Sequence, residues 1–253
     1  MENAESSRPL IFSIVLIACL IWEIVRPSFK NAYPKRLTAN LVLFICGVIL
    51  LKVCFPFGIY GLAHKLNETQ RGFSLSGLPL IFDYIITIIL FDFAIYWQHR
   101  IMHIFKKLWS FHAVHHSDKA MDFSSAVRFH PGEILFSGVY KILLIVILLP
   151  RAETYLVYEI VLSSFALFNH SNIYISKRID TILRVFVVTP RMHYTHHSPI
   201  KKFTNSNYGN FLSIWDKLFK TYKEEDTVVF GLEDINFRDS MSIKELLFAP
   251  FKH

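Results

Sequence analysis

Ten of the twelve histidines lie between residues 99 and 197, about twice what an even scatter would place there. The stretch HRIMHIFKKLWSFHAVHH (99–116) carries five, and HYTHH (193–197) repeats its ending. On a helix turning about 100° per residue, His99 and His103 sit about 40° apart, on one face. His112, His115 and His116 fall within an arc of about 100°, and His193, His196 and His197 do the same. Each stretch therefore aims two or three ring nitrogens at one place. His130 and His170 stand singly between the clusters.

Three chemistries could use such rings. Satisfied or solvent-facing imidazoles account for isolated residues such as His64 and His253. They account poorly for one-sided clusters, where protonated rings repel and neutral rings need many partners. Haem ligation uses one or two axial histidines and leaves most of these idle. A multinuclear metal site uses them all: imidazole suits iron, zinc, copper or nickel, and so many ligands exceed the needs of one ion. A metal-bound imidazole usually donates its other N–H to a carboxylate or carbonyl. Asp92, two helical turns before His99 in an apolar run where a charge is costly, is expected to support the site in that way. Asp118, Asp122 and Glu133 flank the clusters and are further candidates, with a solvated loop charge as the alternative for the first two.

The elements that must position these rings are membrane helices. Of 253 residues, 53% are apolar and 19% charged, and the mean hydropathy of +0.36 averages over blocks of Leu, Ile, Val and Phe. Five apolar segments stand out: 10–25, 38–60, 78–97, 134–149 and 154–168. About 20 apolar residues span a bilayer. The second and third segments reach that length, the first does so if tilted or extended, and the last two, about PRAE (150–153), are expected to form a short transmembrane hairpin, with a partly embedded re-entrant pair as the alternative. The acidic start MENAESSRPL and the lack of a small-residue cleavage site predict a retained first segment rather than a signal peptide. Placing 26–37, 98–133 and 169–253 on one side gathers 21 cations there, against Arg8, Lys65, Arg71 and Arg151 on the other. The positive-inside rule then makes the histidine side cytoplasmic.

Other features bear less weight. Cys19, Cys46 and Cys54 lie in apolar blocks without CxxC spacing, so disulfide frameworks and cysteine-ligated metals are not expected. The net charge of +7 forms no single patch, and no nucleic-acid partner is expected. NFLSIWDKLFKTY (210–222) has its apolar residues at helical spacing and suits either a helix lying in the membrane interface or one packed on its own domain. Lys141 and Glu159 could pair across the hairpin.

The pattern H99-x3-H103, H112-x2-H115-H116, H193-x2-H196-H197 resembles the fatty acid hydroxylase/sterol desaturase superfamily of integral membrane histidine-box enzymes, in its bacterial branch. The resemblance covers roughly 80–225 and includes RFHPGE (128–133), NHSN (169–172), TPRMH (189–193), NYGN (207–210) and SIWD (213–216). It implies an all-α fold: a bundle of about four to five membrane-embedded helices with a cytoplasmic helical cap carrying the boxes. As one membrane enzyme domain over 1–253, it would divide into transmembrane helices (1–98), the first two boxes (99–131), the hairpin (132–169) and a cap with the third box (170–253). It implies two iron ions held by His99, His103, His112, His115, His116, His193, His196 and His197, with His170 and His130 as further ligands. Zinc could substitute in purified protein.

The activity implied is O2-dependent hydroxylation or desaturation of a C–H bond in a lipid. The sequence has no flavin, nicotinamide, haem or iron–sulfur motif. Electrons are therefore expected from a ferredoxin, rubredoxin or cytochrome b5-like donor with its reductase, docking near Lys106, Lys107, Lys201 and Lys202. The alternative is a metal-binding or metal-transport membrane protein without turnover. Transport sites lie near the bilayer midplane, whereas these clusters follow helix ends.

Overall fold

Runs of Leu, Ile, Val and Phe in lipid must satisfy their backbone polar groups within the segment, which a helix does. A computed structural model describes residues 2–30, 34–68, 75–226, 229–232 and 242–252, and helix is their dominant secondary structure. In chain order the helices are α1 (Glu2–Val25), α2 (Pro34–Cys54), α3 (Gly58–Glu68), α4 (Leu80–Ile104), α5 (Lys106–His116), α6 (Pro131–Leu148) and α7 (Ala152–His170). The short helices α8 (Lys177–Leu183), α9 (Pro190–His196), α10 (Lys201–Thr204), α11 (Ile214–Leu218) and α12 (Ile243–Phe248) follow. The expectations for Arg71 and His253 lie outside the described residues.

Four stretches are long and apolar enough to cross a membrane: Arg8–Val25, Arg36–Glu68, Leu80–Ile104 and Pro131–Leu148. The protein is thus an all-α integral membrane bundle with a cap of short helices. The second apolar segment is not one helix, however. It breaks between α2 and α3, where Pro56 lacks an N–H and Gly58 takes φ +66°, a left-handed value that glycine adopts without strain. The hairpin is present as α6 and α7, turning at Leu149. Its arms part company: α6 packs along α2, and α7 along α1 and α4. Helix α7 is an interior element with nine buried residues, Thr154 and Glu159 among them.

Close approach of α2 and α6 depends on glycine. A Cβ on Gly47 would collide with Ile134, and one on Gly138 with Leu51, so each helix presents a bare backbone to a branched side chain of the other. Small residues do this work in bilayers, where apolar burial alone gives helices little reason to associate. Away from the histidines, Phe91 of α4 sits among Ala63, Ile145, Ala152, Tyr155 and Tyr158. Beside this core, Glu159 accepts from Lys141 Nζ (2.8 Å), Arg8 Nη2 (2.7 Å) and Tyr155 OH (2.9 Å). The expected Lys141–Glu159 pair is made, and it ties α1, α6 and α7 together.

The stretch 210–222 is helical only over the five residues of α11. Trp215 and Phe219 turn inward, with ring centroids 5.1 Å from Phe93 and 5.4 Å from Tyr96 respectively. Ile214 and Leu218 are exposed. The long amphipathic helix expected from spacing is replaced by a short turn because Asp216 folds back to accept from the Tyr208 and Gly209 N–H groups.

Candidate metal centre

Helix α4 runs on past the apolar segment to Ile104, so His99 and His103 lie one turn apart on it. It stops at Phe105, whose extended backbone (φ −89°, ψ 116°) redirects the chain into α5. Helix α5 delivers His112, His115 and His116, and α7 ends on His170. Helix α9 begins with Pro190, is capped by Thr189 accepting from the Met192 N–H, and carries His193 and His196, with His197 closing it. Proline at the first turn and a threonine cap suit a helix start.

These four elements bring nine rings together in two groups. His99, His103, His112, His116 and His196 form one, and His115, His170, His193 and His197 the other. Within each group the candidate donor atoms lie within 4.8 Å of one another. His116 sits at the junction, its centroid 4.6 Å from that of His196 and 4.5 Å from that of His197.

Outer hydrogen bonds orient six of the rings. Nδ1 faces Tyr208 O in His99 (2.8 Å), Asn205 Oδ1 in His103 (3.2 Å) and Glu133 Oε1 in His112 (2.7 Å). In His115, His170 and His196 it faces the carbonyls of Arg128 (3.1 Å), Ala166 (2.7 Å) and Ser206 (2.6 Å). These oxygens can only accept, so each ring donates from Nδ1 and, when neutral, turns a bare Nε2 lone pair inward. Yet His99 Nε2 faces His112 Nε2 at 3.0 Å, and His170 Nε2 faces His115 Nε2 at 3.1 Å. Lone pairs so placed repel unless a cation lies between them. His103 Nε2, His196 Nε2 and both nitrogens of His116 are buried and find no hydrogen-bond partner among the described residues.

Five of the rings are held neutral. Burial first, and the neighbouring imidazoles second, push His115, His116, His193, His196 and His197 well below the usual histidine range. Deprotonated, inward-facing and unpartnered nitrogens are the donor set that borderline transition-metal cations accept. The residues fit a metal in each group.

Two expected site residues are placed elsewhere. His130 is the N-cap of α6: its Nδ1 accepts from the Gly132 N–H (2.9 Å) and its Nε2 faces Leu247 O (3.1 Å), so it stays outside both groups. A histidine directly before Pro131 is held extended, which turns its ring towards the new helix start. Among the described residues Asp92 bonds to no imidazole. Its carboxylate accepts from Phe211 N (3.3 Å), Leu212 N (3.0 Å) and Trp215 Nε1 (2.7 Å), fastening the 211–215 turn to α4. Of the flanking acids, Glu133 supports a ring, His112. Asp118 is buried but bound to Arg36, whose Nε and Nη2 reach its two oxygens at 2.6 and 2.8 Å. Asp122 takes Arg36 Nη1 at 2.6 Å. His64 lies apart, 3.5 Å from Glu68.

Four further residues brace the elements that carry the rings. Arg36 reads as a loop cation, yet it is buried and holds the 118–125 loop to α2. Arg128, fully buried, binds Val114 O, Asn40 Oδ1 and Ser117 Oγ and so fixes the end of α5. Glu23 Oε1 of α1 accepts from the Phe123 and Asn172 N–H groups. Asn207 adopts φ +51° and binds Met192 O and Lys223 O, bracing α9.

A family model described as Fatty acid hydroxylase matches residues 84–221, which include every ring of both groups. Among curated proteins, the ornithine lipid hydroxylase OlsE of Rhizobium tropici is 29% identical over 168 residues, 66% of this chain and 50% of that protein. The alkylglycerol monooxygenase of Homo sapiens is 31% identical over 147 residues, 56% of this chain and 31% of that protein. The lathosterol oxidase of Homo sapiens is 28% identical over 202 residues, 78% of this chain and 64% of that protein. The chain thus spans half or less of the first two relatives. No solved structure matches. With the matched region covering more than half of its length and carrying both groups of rings, this chain belongs to the fatty acid hydroxylase family.

Proposed function

We propose that the protein is a membrane oxidoreductase that uses O2 and external electrons to hydroxylate or desaturate a C–H bond of a lipid, with one iron ion in each histidine group. The observation that carries this reading is the set of nine converging imidazoles, seven of them buried, at one end of membrane-spanning helices. When bound, the iron pair supplies the O2 activation and hydrogen abstraction that no amino-acid side chain performs. His99, His103, His112, His116 and His196 hold one ion, and His115, His170, His193 and His197 the other. Glu133 and the carbonyls of Tyr208, Arg128, Ala166 and Ser206 hold the rings in the Nδ1–H tautomer, keeping Nε2 free for metal. The spanning helices offer a lipid chain an apolar approach that excludes water. The relatives named above are hydroxylases, monooxygenases and oxidases of lipids, which supports the same substrate class.

The histidine end faces the cytoplasm by the charge balance of the connecting loops. There the exposed Lys106, Lys107, Lys201 and Lys202 offer a basic surface to an acidic ferredoxin, rubredoxin or cytochrome b5-like donor. The test is metal analysis of the purified protein, together with lipid mass spectrometry of membranes supplied with O2 and a donor system. Retained iron and a lipid carrying one added oxygen or lacking two hydrogens are expected. Iron that is bound but never reduced, with no oxidised lipid, would sink the enzyme reading and leave a metal-binding membrane protein. Zinc in the same sites is compatible with it, since zinc outcompetes ferrous iron for such ligands.

A further inference from the structure

Asp92 gives its carboxylate to the Phe211 and Leu212 N–H groups and the Trp215 indole rather than to an imidazole, and its depth gives that role a consequence. It lies seven residues before His99 on α4, about 10 Å further into the membrane-spanning part of the helix. The turn it holds, 211–215, is therefore drawn down alongside α4. Asn210 Nδ2 makes a parallel contact with Leu162 O of α7 (3.1 Å), about 12 Å along that helix from His170.

The segment is built as irregular chain at membrane depth must be, with its polar groups satisfied. The Phe211 and Leu212 N–H groups go to Asp92. Val188 N donates to Phe211 O (2.8 Å) and Ser213 N to Phe186 O (3.2 Å). Lys217 Nζ caps the carbonyls of Arg184 (2.6 Å) and Val185 (2.9 Å).

Its outer face is apolar and continues an established lipid-facing surface. On α4, Phe82, Ile85 and Ile89 form an exposed stripe. The next residue on that face, Phe93, is covered by Trp215 (5.1 Å) and Phe219 (6.0 Å). Beyond this cover Ile214 and Leu218 are exposed, and beside them so are Ile179, Ile182, Val185 and Phe186. The exposed cations Lys177, Arg178, Lys217 and Lys220 accompany the patch. Apolar side chains next to lysine and arginine match an acyl layer beneath anionic headgroups.

We propose that residues 184–188 and 211–219 form a wedge seated in the bilayer leaflet at the histidine end, its exposed apolar face and the adjoining Ile179 and Ile182 covered by lipid acyl chains, with Lys177, Arg178, Lys217 and Lys220 at the headgroups. The wedge extends the membrane contact into a part of the chain that has no span-length helix. It is independent of whether the metal centre turns over.

The test uses the full chain with Cys19, Cys46 and Cys54 replaced by alanine, checked for retained metal and reconstituted in phosphatidylcholine–phosphatidylglycerol vesicles. Single cysteines at F186C and L218C carry an environment-sensitive fluorophore, with I85C as a lipid-facing reference and E225C as an aqueous one. Quenching by brominated acyl chains at 186 and 218 within a factor of about two of that at 85, with iodide quenching far below that at 225, is expected. Iodide quenching equal to that at 225 would overturn the proposal in favour of a face for a soluble partner. Shielding from both quenchers would overturn it in favour of a second copy of the chain. Should the cysteine-free protein lose its metal, native-sequence protein labelled by a diazirine-tagged phospholipid answers the same question. Adducts on 184–188 and 211–219 support the wedge, and adducts confined to α1, α2, α4 and α6 overturn it.

Discussion

Around His99 and His112 the interior of the protein is made of imidazoles, carboxylates and carbonyls. Around Phe91, about two turns away on the same helix, it is made of Ala63, Ile145, Tyr155 and Tyr158. The two regions are held in different ways. At Phe91 the contacts are apolar and non-directional, so volume matters more than identity. At the histidine end six of the nine rings, and the acids beside them, have oriented partners: Glu133 for His112, Ser206 O for His196, Arg36 for Asp118. Each such partner is hard to replace, because a change of geometry leaves a buried polar group unsatisfied.

This contrast can be broken by experiment, beginning where the largest effect is expected. His115→Ala and His196→Ala should each lower metal per chain and reduce lipid oxidation by at least about 100-fold, while His64→Ala should do neither. A full metal complement in both variants, measured by mass spectrometry, would refute the ligand assignment. Next, Arg36→Ala should destabilise the protein by about 3–5 kcal/mol, since it strands the buried Asp118. Even Arg36→Lys should fail to restore stability, because it loses the two-pronged contact. By comparison Phe91→Leu should remain within about 1.5 kcal/mol in denaturant titrations. Equal tolerance of Arg36→Lys and Phe91→Leu would erase the distinction between the regions.

Glu133→Ala should weaken metal binding by about 10–100-fold through loss of the His112 orientation, and Glu133→Gln should recover part of it because its oxygen still accepts. Competition with a fluorescent chelator measures both. Gly138→Ala, at the α2–α6 crossing, should destabilise by about 1 kcal/mol as Leu51 is pushed aside. The smallest effect separates the two kinds of histidine. His130→Ala should lose about 1 kcal/mol of helix-cap stability and leave metal content unchanged, so a drop in metal would return His130 to the site.

Much of this was legible in the order of residues. Apolar runs long enough to cross a bilayer predict the helices, and the 3.6-residue repeat puts His99 with His103 and aligns the other clusters. What spacing missed follows from the same physics at longer range. The break at Pro56–Gly58 was written in the residues, yet the hydropathy of 38–60 concealed it. Arg36 looks like a loop cation until Asp118, 82 positions away, is brought against it. Asp92 stands out as a charge in an apolar run and is expected to support a ring, but it holds the 211–215 turn instead, because its partner depends on which loop folds down onto α4.

The sequence by itself determined the elements and the inventory of donors, because helix length, hydrophobic period and imidazole spacing are local properties. Only the tertiary structure decided which nine rings face one another, that His130 caps a helix instead, and that a carboxylate in the membrane holds a loop rather than a ring. Those outcomes depend on contacts between residues far apart in the chain, where packing and the need to satisfy buried polar groups select one partner among many of similar chemistry.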